Sequence, residues 1–202
     1  KVGAEPSVTE FGLVGYAMQY SDTLLDALSR LARYQRILSE AIRFTLIEES
    51  NSYILAWTMQ PALMALRHPV ESNVHLVVRV ARELTGSDIS PMAVELPTPP
   101  PASQSEYKKK LGCPISFGCD RAAVVWRPEQ MLLPTVAADD ALVGYLDELA
   151  DIAIGPLDEG LDSATTAVRR TLWSLLPSGR PNIWRTAREM GISVRTLQRR
   201  LS

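Results

Sequence analysis

Ile42-Arg43-Phe44-Thr45-Leu46-Ile47-Glu48-Glu49-Ser50-Asn51-Ser52-Tyr53-Ile54-Leu55-Ala56-Trp57-Thr58-Met59 decides the fold class. Ile42, Phe44 and Leu46 alternate with Arg43, Thr45 and Ile47, the period of a strand with one buried face. Glu49-Ser50-Asn51-Ser52 is turn chemistry. Tyr53 to Met59 is rich in aromatic and apolar residues that suit a pleated sheet. Two strands joined by a tight turn are antiparallel, so the sheet is at least partly antiparallel.

Helical patterns flank this hairpin. Phe11 to Met18 is apolar with Gly12 and Gly15, a helix start packed closely on another element; residues 1–8 read as a loose end. Thr23 to Ser39 carries Leu24, Leu28, Leu31, Tyr34 or Gln35, and Leu38 at helical spacing, and Thr23 with Asp26 forms a capping-box pattern. Pro61 opens a helical region that Pro69 interrupts. Val70, Val74, Val77, Ala81 and Leu84 make a second stripe, ended by Gly86. Met92, Val94 and Leu96 alternate as a third strand, and Pro97-Thr98-Pro99-Pro100-Pro101 is a stiff loop. Ser103 to Leu111 reads as a short helix closed by Gly112. Ser116 to Trp126 reads as a fourth strand region with a turn or bulge at Gly118-Cys119-Asp120. Two more helices are expected over 139–153 and 162–176. The expectation is an α+β fold: a small, largely antiparallel sheet packed with several helices. A hinge at Pro177-Ser178-Gly179 follows. The expected division is a first domain over 1–176, a linker over 177–181 and a helical segment over 182–202.

That last segment reads as helix, turn, helix. Ile183, Ala187 and Met190 share one helical face. Gly191 stands where a helix end favours a left-handed residue, and Ser193 is placed to cap the next helix. Val194, Leu197 and Leu201 make its apolar stripe, and Arg195, Gln198, Arg199 and Arg200 its polar face. Arg and Gln are side chains that hydrogen-bond base edges, and Arg also pairs with phosphate. Residues 181–202 hold five Arg and one Glu in a chain of net charge −2. A basic pole on a non-basic protein is the footprint of nucleic-acid contact. A solvated amphipathic hairpin accounts for the pattern about equally well before turn chemistry and charge are weighed.

Leu175-Leu176-Pro177-Ser178-Gly179-Arg180-Pro181, followed by Ala187-Arg188-Glu189-Met190-Gly191-Ile192-Ser193-Val194-Arg195-Thr196-Leu197-Gln198-Arg199-Arg200-Leu201, resembles the entry to the DNA-binding domain of AraC/XylS-type transcription regulators. Upstream, Phe11-Gly12-Leu13-Val14-Gly15-Tyr16 and Gly112-Cys113-Pro114-Ile115-Ser116-Phe117-Gly118 are similar to the arabinose-binding-like regulatory domain of one AraC subfamily. The resemblance implies a domain that senses a small-molecule effector and forms a homodimer, followed by the start of the first of two helix-turn-helix units. It implies promoter DNA as a partner, with Arg195, Thr196, Gln198 and Arg199 contacting DNA and Arg185 and Arg200 on phosphates. With the unit cut short, Leu197 and Leu201 are expected to lack partners and the tail to fray.

Other readings set bounds. The apolar fraction is 46%, enough for a real core. No run of 18 apolar residues and no signal-peptide layout is present, so a cytoplasmic protein without membrane contact is expected. Cys113 and Cys119 fit neither a C-x-x-C motif nor a four-ligand zinc site, and read as reduced, partly buried thiols. His68 and His75 are seven apart with Pro69 between them, and read as surface residues. H-E-x-x-H, G-x-S-x-G and the P-loop are absent from the sequence, so neither catalysis, metal nor cofactor is expected. Tyr34, Arg43, Tyr53 and Trp57 are candidates to line an effector pocket, although packing explains each singly. The helix over 139–153 carries Leu142, Tyr145 or Leu146, Leu149 and Ile152, expected to pack within the chain or, second, to form a dimer contact. The alternative function is a stand-alone ligand-binding or protein-interaction domain without a DNA role.

Overall fold

The computed structural model describes residues 7–101, 111–159, 167–168, 171–172, 175 and 182–201. The expected helix over 103–111, except Leu111, most of that over 162–176, and the linker over 177–181 lie outside them. The chain forms two compact units, residues 1–154 and 155–202.

The first unit opens with a 3-10 turn, Val8–Phe11, and α1, Gly12–Gln19. The expectation of a loose end is corrected from Ser7 onward. Val8 is buried, its N–H donates to both carboxylate oxygens of Glu83 at 3.0 and 3.2 Å, and the Ser7 hydroxyl donates to the same carboxylate. The carboxylate satisfies a backbone donor that burial would otherwise strand. Helix α2, Leu24–Leu38, begins at Thr23, whose Oγ1 accepts the Asp26 N–H at 3.2 Å while Asp26 Oδ2 accepts the Thr23 N–H at 3.2 Å. This reciprocal capping box is the one the sequence spelled out.

Strands β1, Ile42–Glu49, and β2, Ser52–Met59, pair antiparallel with Phe44 opposite Trp57. A short helix, α3, Pro61–Met64, precedes α4, Arg67–Thr85. Pro69 does not interrupt α4. It lies in the first turn, where its missing N–H has no intrahelical acceptor to lose. His68 and His75 therefore share one helix. Gly86 ends α4 with a φ of 62°.

Strand β3, Ala93–Leu96, lies inside the sheet, one place from its edge. The expected fourth strand is in fact two: β4, Ile115–Phe117, parallel to β3, and β5, Ala122–Trp126, antiparallel to it. The turn between them crosses the end of β3. The Gly118 N–H donates to Thr98 O at 3.1 Å and the Cys119 N–H to Leu96 O at 3.0 Å. Gly118 has a φ of 72°, which a residue with a Cβ adopts only under strain. The sheet order is β1-β2-β5-β3-β4, with β2 and β5 antiparallel. The fold is α+β, as the hairpin implied.

One sheet face carries Phe44, Leu55, Trp57, Val94, Leu96, Ala122, Val124 and Trp126 into the main core, against the stripes of α1, α2 and α4. The other face holds a smaller cluster of Ile54, Ala123 and Val125. After α5, Pro128–Met131, comes α6, Asp140–Glu159. Arg30 on α2 grips Asp147 of α6 through Nε and Nη2 at 2.9–3.1 Å, and Arg33 grips Asp151 at 2.8 Å. Among the described side chains of α6, Val143 and Ala150 are buried. The expectation that its stripe packs within the chain is corrected: Tyr145, Leu149 and Ile152 are exposed, because the buried face lies about a quarter turn away.

In the second unit, α7, Ile183–Glu189, and α8, Val194–Leu201, pack around Ala187 and Leu197. Leu197 does not lack partners, as the sequence led us to expect. It is 1% exposed, in a cluster with Val168 and partly buried Leu172, Ile183, Met190, Ile192 and Val194.

Candidate effector cavity and two-helix unit

The core of the first unit holds a partly open cavity of about 250 Å³. Phe11 and Met18 approach it from the N-terminal turn and α1. Leu28, Leu31 and Leu38 come from α2, Ile42 and Phe44 from β1, and Asn73, Leu76, Val77 and Val80 from α4. The wall is thus built from the same apolar periodicities that make the core, on elements from four stretches of chain.

Gln35 anchors one wall. Its Nε2 donates to Phe44 O at 2.9 Å and to Ala32 O at 2.7 Å, and its Oε1 accepts the Phe44 N–H. A side-chain amide thereby pairs both backbone groups of an edge-strand residue and ties β1 to α2. Phe44 in turn meets Trp57 with ring centroids 6.1 Å apart at a 51° tilt, a geometry favoured by ring quadrupoles.

Of the four residues picked from sequence, none lines this cavity. Tyr34 is fully buried; its hydroxyl lies 3.5 Å from Asp147 O, and Arg33 sits 5.0 Å over its ring. Burial first, then hydrogen bonding to Asp151, pushes its pKa up to about 12. Trp57 is buried behind Phe44, and its Nε1 has no hydrogen-bond partner among the described residues. Tyr53 donates to Glu48 Oε1 at 3.0 Å on the hairpin, a bond that raises its pKa. Arg43 is exposed on β1. The lining was missed because Leu, Ile and Val at helical or strand spacing read as packing. Asn73 was the one available signal, a polar residue between Val70, Val74 and Val77.

The two-helix unit is built locally. Asn182 caps α7, its Oδ1 accepting the Arg185 N–H at 2.9 Å. The Gly191 N–H donates to Arg188 O at 3.1 Å and the Ile192 N–H to Ala187 O at 3.0 Å, the bond pair of a Schellman turn, with Gly191 at a φ of 66°. Ser193 Oγ accepts the Thr196 N–H at 3.1 Å and lies 2.8 Å from Thr196 Oγ1. Thr196, one of the residues picked for DNA contact, therefore has its hydroxyl engaged in the cap. Arg195, Gln198 and Arg199 are exposed at i, i+3 and i+4, one face of α8. Arg185 is half-buried on α7, and the Arg200 side chain lies outside the described residues. Trp184 is 71% exposed on α7, a large apolar surface that the sequence reading passed over.

Other chemistry is sparse. Among the described residues, no group of three or more His, Cys, Asp or Glu is placed to hold a metal, and no helix is long and apolar enough to cross a membrane. Cys113 is buried and Cys119 half-buried, both as free thiols, and burial raises the pKa of Cys113.

Comparison with known proteins gives consistent results. A curated relative, the ornithine utilization regulator of Pseudomonas aeruginosa, is 27% identical over 204 aligned residues, covering all of this chain and 59% of that protein. The crystal structure of the transcriptional regulator CdpR from Pseudomonas aeruginosa superposes with a TM-score of 0.55 at 17% identity, covering 97% of this chain and 64% of that one. The chain thus spans about three fifths of the length of these proteins, and the second likeness establishes the fold. The model of the arabinose-binding domain of AraC transcription regulators, an N-terminal domain, matches residues 1–135. With the greater part of its length so matched, the chain belongs to the AraC family of transcription regulators that carry this N-terminal domain.

Proposed function

We propose that this chain is the sensing part of a transcription regulator, together with the start of its DNA-binding part. An effector enters the cavity of the first unit, and α8 presents Arg195, Gln198 and Arg199 to a promoter, with Arg185 and Arg200 on phosphates. The division into 1–176, 177–181 and 182–202 belongs to this proposal. The observation that carries the DNA role is the two-helix unit: a buried Leu197 and a Schellman turn fix α8 so that three polar side chains of base-reading type share its outer face. Exposed Tyr145, Leu149 and Ile152 on α6 support a homodimer, since apolar side chains of this size grouped on one helix face favour burial. The effector acts by binding the two arrangements of sensor and DNA-binding parts unequally. The names attached to the family model and to the curated relative suggest arabinose and ornithine as first effectors to try.

The test has two arms. In a version extended through a second helix-turn-helix, gel shifts against promoter and random duplexes should show sequence preference. A reporter in cells should respond to an effector. A protein that shows no duplex preference at physiological salt, and leaves the reporter unchanged, is instead a stand-alone binding domain.

A further inference from the structure

The cavity's chemistry narrows the effector, given the reading of it as the effector site. Ten of its eleven lining side chains are apolar, and none is charged. Asn73 is the exception. Its Nδ2 is committed to Pro69 O at 2.8 Å, with Met59 Sδ at 3.9 Å. Its Oδ1 makes no hydrogen bond among the described residues, and so is the acceptor left for a ligand. An apolar cavity of about 150 Å³ holds a benzene, six carbons, so by proportion about 250 Å³ holds roughly ten non-hydrogen atoms. A pentose entering this site would strip several hydroxyls of water with one amide to receive them. Each hydroxyl left unpaired costs about tenfold in affinity or more. An amino acid with two ammonium groups and a carboxylate would fare worse, since the wall carries no counter-charge.

We infer that the cavity takes an uncharged, mainly hydrocarbon ligand of roughly ten non-hydrogen atoms, an aliphatic chain or a single ring, with one hydrogen-bond donor received by Asn73. A sugar or a charged amino acid does not fit it. Affinity for such a ligand comes from burying its hydrocarbon, and selectivity from the single polar contact.

The probes are 1-octanol, toluene, L-arabinose and L-ornithine, titrated calorimetrically into the 202-residue chain. The expected result is saturable one-to-one binding of 1-octanol and toluene, and no heat of binding from the other two. Val80→Phe, which fills the cavity, should weaken 1-octanol at least tenfold. If circular dichroism shows that variant to be unfolded, Leu76→Phe replaces it. Asn73→Leu should lower 1-octanol affinity several-fold and leave toluene unchanged. Binding of arabinose or ornithine that Val80→Phe abolishes would overturn the ligand class while leaving the cavity as the effector site. Absence of saturable 1-octanol and toluene binding, or binding indifferent to all three variants, would overturn the inference; the cellular reporter then judges the sensor reading separately.

Discussion

Replacing Gln35 by Met keeps the side chain's length and removes its amide. In the folded chain that amide accepts the Phe44 N–H and donates to Phe44 O, and Gln35 is 6% exposed beside a Phe44 that is 8% exposed. Met leaves both Phe44 backbone groups without this partner in a buried setting. An unsatisfied buried donor or acceptor costs about 1–3 kcal/mol. Two of them, less a gain of about 1 kcal/mol from burying the thioether in place of an amide, give roughly 1–5 kcal/mol. Gln35→Glu separates the two bonds. Its carboxylate still accepts the Phe44 N–H but turns an oxygen toward Phe44 O, so it should be no more stable than Met near neutral pH and recover as pH falls and the acid can donate. Urea unfolding of both variants measures the cost, and hydrogen exchange at the Phe44 amide shows whether β1 has come loose from α2. A Gln35→Met variant within about 0.5 kcal/mol of the parent, the usual range for an inconsequential surface change, would refute the anchoring role.

Four further outcomes are expected. Leu28→Ala should cost about 2–3 kcal/mol and Leu84→Ala about 3–5: transfer of three carbons accounts for roughly 2.4 in both, but Leu28 faces the cavity and has fewer neighbours to lose. An equal or reversed order in urea unfolding would contradict this. Gly15→Ala should destabilise by about 3 kcal/mol or more in thermal melts, since a Cβ there would stand 1.9 Å from Val8 O, a backbone atom with no easy retreat. Tyr34, raised by the fold from 10.0 to about 12, favours the protonated form when folded; its stabilisation is complete below pH 10 and is lost as pH climbs toward 12. Ultraviolet titration of the parent against Tyr34→Phe should show the Tyr34 phenol ionising late, or only with alkaline unfolding, and a difference signal that titrates near pH 10 would count against it. Arg199→Ala in the extended protein should cost about 1–3 kcal/mol in specific DNA affinity, read by gel shift; unchanged affinity and base preference would remove it from the reading face.

What the sequence determined by itself is local. The hairpin over 42–59, the capping box at Thr23 and Asp26, the Gly86 and Gly191 helix ends and the Ser193 cap all follow from groups within a few residues of one another. Their hydrogen bonds form whatever surrounds them. The α+β class followed from the hairpin and its flanking helical stripes. The resemblance carried the family. Pro69 misled because a proline breaks a helix interior but not a first turn, and which of these it is depends on where the helix starts. Long-range placement was beyond the sequence. That β3 lies between β4 and β5, that Glu83 holds Val8, and that Tyr145, Leu149 and Ile152 face outward are set by packing between distant segments, which leaves no periodic mark. The cavity is the clearest case. It is empty space, and a leucine beside a void has the same spacing as a leucine beside another side chain. Only the tertiary structure, by fixing how far α2 and α4 stand apart over β1, decided that the stripes containing Leu28 and Val77 also form the wall of a cavity.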